Sequence, residues 1–251
     1  MPFLKLNKIN CFKALSLSTL AAISVLSAGC ENEDERQVFA AQDCLDNARD
    51  ADQADVCVAK VESLTSPESY LIRCSAHFIA QGFTGSRAAD AFQGLKNNTG
   101  SGTDPMAVAM AYLVFAKDLP SHTADLALSD CKASGVNSMV QLATMSKLAT
   151  FVADPSGSGI SGGLFDPSSS NFDVSQISTA ISNLVSENDA TKNETIGNLA
   201  TTANQTYCAE GSPQKNTEIC TNLEASIAAG NGDAATIGRS LLEQLQTNSG
   251  Q

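Results

Sequence analysis

Three short patterns in the chain carry the residue types of nucleophilic chemistry. Gly159-Ile160-Ser161-Gly162-Gly163 fits G-x-S-x-G. That pattern needs a preceding strand, a following helix, and an acid and then a histidine later in the chain. Here glycines and serines flank it, and both histidines, His77 and His122, come before it. Ser129-Asp130-Cys131-Lys132 and Ser212-Pro213-Gln214-Lys215 fit S-x-x-K, but no S-D-N or K-T-G box accompanies either. All three read as coincidences of composition, with a hydrolase using Ser161 kept as an alternative.

Metal chemistry has little to work with. Asp46, Asp50, Asp52 and Asp55 crowd one stretch, yet no register supplies the glycine and the final glutamate that an EF-hand loop requires. They read as a solvated acidic turn. No two cysteines show the close spacing of a zinc site, so no metal or cofactor is expected. His77 stands beside the inward-facing Phe78 and His122 near a helix start; neither shows an evident partner in sequence, and both are given structural or surface roles.

Cysteine is the residue type with the clearest pattern. Cys44, Cys57, Cys74, Cys131, Cys208 and Cys220 form an even set, which in an exported chain argues for disulfides in an oxidising compartment. Six cysteines allow fifteen pairings. Cys44 and Cys57 lie symmetrically about the turn at Arg49-Asp50-Ala51-Asp52, and Cys208 and Cys220 about Gly211–Asn216. Residues equally distant from the turn of an antiparallel helical hairpin face each other at disulfide spacing. These two pairs are therefore favoured, which leaves Cys74 with Cys131 by elimination.

The other two cysteines lie at the N-terminus. Lys5, Lys8 and Lys13 form a basic start without acids, and Ala14–Leu26 is an uncharged run too short to span a bilayer. It ends in Leu26-Ser27-Ala28-Gly29-Cys30. This segment resembles the lipobox signal peptide of bacterial lipoproteins. The resemblance implies that 1–29 is removed and that Cys30 becomes the first mature residue, acylated on sulfur and amine. It further implies a membrane partner held through the N-terminal lipid. Several acyl chains, at roughly 0.8 kcal/mol per buried methylene, anchor stably without a transmembrane helix. Glu31 stands where, in lipoproteins of enteric bacteria, Asp favours inner-membrane retention, so the outer membrane is expected.

Charge narrows the partners. The full chain has 15 Lys+Arg against 27 Asp+Glu; losing the signal removes three lysines and no acid. A surface this acidic argues against nucleic acid and is repelled by anionic headgroups. The body is expected to stand off the membrane, with 30–36 as an acidic tether.

Hydrophobic residues make up 43% of the chain, which places it among globular proteins, and their spacing is helical throughout, without a convincing strand run. Stripes run through Val38, Ala41, Leu45 and Ala48, then Val56, Ala59 and Leu64. Leu71, Cys74 and Phe78 follow, then Val108, Ala111, Tyr112 and Phe115, and Leu126, Leu128 and Cys131. Ser66-Pro67 and Asp104-Pro105 read as cap and first-turn proline. Asp173 caps the stripe Val174, Ile177, Ile181, Leu184 and Val185, while Thr191-Lys192-Asn193-Glu194 reads as a capping box. The expected fold is all-α, about eleven helices as antiparallel hairpins in one or two blocks stapled by disulfides. The blocks are 37–153 and 173–247, separated by a Gly/Ser-rich loop at 154–172, with a tail at 248–251.

Phe78-Ile79-Ala80-Gln81-Gly82-Phe83, with Ala88 and Phe92, is faintly similar to a tetratricopeptide helical hairpin. The spacing from Gly82 to Ala88 is one residue too long, and no second copy follows at that family's period. The reading of the whole is a lipid-anchored envelope protein that works by contact with another envelope protein. A small-ligand binder with a pocket near 154–172 is the main alternative.

Overall fold

The computed structural model describes residues 32–83, 104–117, 120–156, 172–210 and 217–249. Among these, ten helices and no strand are present. They are α1 (Glu33–Asn47), α2 (Ala51–Val58), α3 (Pro67–Ala80), α4 (Pro105–Leu113), α5 (Pro120–Ser134), α6 (Asn137–Ala153), α7 (Ser175–Glu187), α8 (Ala190–Tyr207), α9 (Glu218–Gly230) and α10 (Ala234–Ser249). The fold is all-α, built of paired helices and stapled by three disulfides. Cys30, Ser161, Ser212 and Lys215 lie outside the described residues.

Caps fix most helix starts. Ser66 accepts from the Ser69 backbone N–H at 3.2 Å, and Asp104 accepts from Met106 and Ala107 at 2.7 and 3.2 Å. Proline follows each cap, where its missing N–H costs nothing. Asp173 bonds the Ser175 N–H at 2.9 Å. The box expected at Thr191 starts two residues late: Asp189 is the cap of α8, bonding Thr191 and Lys192. The segment expected as tether differs too, since Glu33–Arg36 form the first turn of α1, capped by Asn32. Three acids at a helix N-terminus complement its partial positive charge, which favours helix where composition alone suggests linker. At the other end, α10 runs on to Ser249, two residues into the stretch expected as a tail.

The packing forms three connected cores. Around α1–α3 lie Ala41, Leu45, Ala54, Cys57, Val61, Ile72 and Ala76. Here α2 departs from the expected stripe: Val56 is 63% exposed and Ala59 faces solvent, while Ala54, Cys57 and Val61 point inward. Between α3 and α5, Phe78, Phe83 and Phe115 meet edge-on with centroids 5.2–5.5 Å apart. On α5 Leu128 and Cys131 are buried as the stripe expects, but Leu126 is 42% exposed and Ala124 and Ala127 complete the buried face.

The largest core gathers α4, α6 and α7–α10. Met106 to Ala111 of α4 are all buried, because a helix apolar on every side must be covered on every side. It meets α6, α7, α9 and α10. The packing therefore does not divide at 154–172; helices on both sides of that segment share one interior. The most extensive helix contact, α8 on α10, is made possible by Gly197 and Gly238. A Cβ on Gly197 would stand 1.8 Å from the Ala234 carbonyl oxygen, and one on Gly238 would stand 1.9 Å from that of Asn193.

Candidate functional site

The residues with chemical potential collect at the α3–α5 contact. Helical spacing brings Arg73, Cys74, His77 and Gln81 to one side of α3, and α5 presents Asp130 and Cys131 to it. Cys74 and Cys131 are joined, with Cα atoms 5.0 Å apart. His77 Nε2 lies 2.9 Å from Asp130 Oδ2, and Arg73 Nε lies 3.7 Å from Asp130 Oδ1. All three side chains are mostly covered. His77 thus has the partner that its sequence neighbourhood did not reveal.

Arg73 reaches in a second direction. Its Nη1 donates to the Val61 and Leu64 carbonyl oxygens at 2.8 and 3.2 Å, and its Nη2 to Leu64 at 3.1 Å. The guanidinium carbon also lies 4.3 Å from the centre of the Tyr70 ring. One side chain thereby ties the end of the α2–α3 turn to the α5 carboxylate. Gln81 performs a similar task at the other end of α3: its amide donates to the Lys117 carbonyl at 2.7 Å and accepts from the Lys117 N–H at 2.8 Å. A histidine held by a carboxylate can orient a proton transfer, but both neighbouring sulfurs are committed to the disulfide. The arrangement is suited to fixing α3 against α5.

A second polar centre lies inside the largest core. Asp104 is 2% exposed, and besides its cap bonds its Oδ2 accepts from Asn222 and Asn248 at 3.3 and 2.8 Å. Four donors from α4, α9 and α10 surround one buried carboxylate, as desolvation of a charge requires. Sequence reasoning found Asp104 as a cap but missed its buried role, because Asn222 and Asn248 are distant in the chain.

Elsewhere the sequence candidates separate. Cys44 pairs with Cys57 and Cys208 with Cys220, both at 5.5 Å between Cα atoms, the pairs that hairpin symmetry selects. Asp46, Asp50, Asp52 and Asp55 are all exposed, and Asp50 caps α2 through the Gln53 N–H at 2.9 Å. Ser129, Lys132 and His122 face solvent. Among the described residues no group of three or more metal-ligating side chains converges, and no helix is long and apolar enough to cross a membrane. Of the tetratricopeptide-like stretch, Phe78 and Phe83 join the aromatic cluster, while Ala88 and Phe92 lie outside the described residues.

No protein family, curated protein or solved structure matches this chain.

Proposed function

We propose that this is a lipid-anchored cell-envelope protein, acylated at Cys30, held at the outer membrane, and working by contact with another envelope protein. The observation that carries the reading is the order of features: a basic start, a short apolar run and Leu26–Cys30, followed at once by a body whose six cysteines are paired. A lipobox directs a protein out of the cytoplasm, and stable disulfides are characteristic of that oxidising side. Contact is the activity that suits a rigid, cross-linked helical body whose polar clusters tie helices to one another. Facing the periplasm, such a body offers an acidic surface to its partner.

Cys30→Ser tests the anchor. The variant should lack the acyl mass that the wild type carries and should leave the membrane fraction. Its retention in membranes at high salt would overturn the reading. Cross-linking in intact cells followed by identification of one stoichiometric envelope partner tests the second half. Release of a bound small molecule from the purified protein on denaturation would favour the ligand-binding alternative.

A further inference from the structure

We propose that the α1–α2 hairpin is the membrane-proximal end of the protein, seated at the level of zwitterionic lipid headgroups with no flexible tether beneath it; this rests on acylation of Cys30. Only Glu31 separates Cys30 from Asn32, the cap of α1. Three residue steps, even fully extended, reach about 11 Å. The first turn of α1 is therefore held beside the headgroups whatever path those residues take.

The helix that begins there is not a loose arm. Cys44–Cys57 ties α1 to α2, both pack on α3, and Cys74–Cys131 ties α3 to α5. Rigid elements and cross-links thus run from the lipidated end into the middle of the molecule. A long Gly/Ser linker would let the body wander, and nothing of that length is present between Cys30 and α1. Where the lipid enters therefore decides which end of the body lies nearest the membrane, and the surface of that end decides how closely it sits.

The surface of this end fits that placement. Phe39 and Val56, 62% and 63% exposed, are the two most exposed large apolar side chains among the described residues, and both belong to the hairpin. Phe39 lies six residues into α1, about 9 Å along the axis from Glu33. The hairpin carries the exposed carboxylates Glu33, Asp34, Glu35, Asp43 and Asp46 on α1 and Asp50, Asp52 and Asp55 about α2, against the exposed cations Arg36, Arg49 and Lys60, so its surface is acidic on balance. At a physiological Debye length of about 8 Å these charges feel an anionic headgroup layer, so the hairpin settles on neutral lipid and is pushed from acidic lipid.

The chain contains no tryptophan, so one introduced residue is a unique reporter. Phe39→Trp and Leu126→Trp, both at exposed sites, are compared in the full acylated protein on phosphatidylcholine vesicles carrying a headgroup nitroxide. Phe39→Trp should lose most of its emission and Leu126→Trp should keep it. Replacing part of the lipid by phosphatidylglycerol at low salt should relieve the quenching, and added salt should restore it. Equal quenching at the two positions, or none at Phe39→Trp, overturns the proposal while leaving the anchor intact. So does an unquenched Phe39→Trp whose emission shifts on adding a lysine-rich peptide, which would assign the hairpin to a basic protein partner. Intact mass and vesicle flotation of the same sample report acylation separately; their failure overturns the anchoring reading itself.

Discussion

Asp130 accepts from His77 and stands within ion-pair distance of Arg73, so its loss would strand two covered groups at once. Replacing Asp130 by Ala should cost about 1–3 kcal/mol, the range for leaving a covered polar group without its partner. Urea unfolding should show an earlier midpoint with the same slope, and a double-mutant cycle with His77→Ala should show coupling between the two positions. Asp104 has more at stake, because it is buried and serves four donors. Asp104→Ala leaves those donors unsatisfied in the interior and should cost about 2–4 kcal/mol, combining a lost cap with orphaned polar groups. An equilibrium unfolding midpoint equal to that of the wild type would show that water replaces the carboxylate.

Between elements, the α8–α10 crossing depends on two glycines with no room for a methyl group. Gly197→Ala or Gly238→Ala must push backbone from backbone, since the obstructing atoms are carbonyl oxygens that cannot rotate away. Overpacking of this kind costs about 1–3 kcal/mol or more, measurable as a lower melting temperature. Helix starts respond to acid. Hydrogen bonds from the Ser175 side chain and backbone hold the Asp173 carboxyl below its usual range, and those from Thr236 do the same for Asp233 at the start of α10. A lowered folded-state value means stabilisation that is complete above the unfolded carboxylate range near pH 4 and lost as pH falls through the folded value. Amide exchange at the first turns of α7 and α10 should therefore rise below about pH 4, ahead of global unfolding.

At the scale of the molecule, the three cores differ in size and in how they are held. The α1–α3 cluster is small and is closed by Cys44–Cys57, whereas α4 and α6–α10 share a broad apolar interior. Opening a loop of 13 residues forfeits about 3 kcal/mol of chain-entropy stabilisation. A Cys44→Ser/Cys57→Ser variant should keep nearly all its helical circular dichroism yet lose exchange protection first in α1 and α2. Uniform loss of protection across all ten helices would mean that the three cores unfold as one unit.

Much of this architecture is legible from residue spacing. Helical periodicity, the caps at Ser66 and Asp104, the Asp173–Ser175 bond just ahead of α7, and two of the disulfides follow from neighbours in the chain, because caps and hairpin symmetry are local geometry. Local patterns fail where burial is decided by what arrives from far away. Val56 and Leu126 are apolar but exposed, since α2 and α5 each turn toward a partner that the stripe alone does not specify. The sequence suggests a break at 154–172, yet α4 needs cover on every side and draws it from helices beyond that segment. His77 finds Asp130 across 53 positions, and Asp104 finds Asn248 across 144. Those pairings exist only once the helices have packed, because a side chain's partner is set by distance in space, and chain separation of that length carries no geometric information of its own.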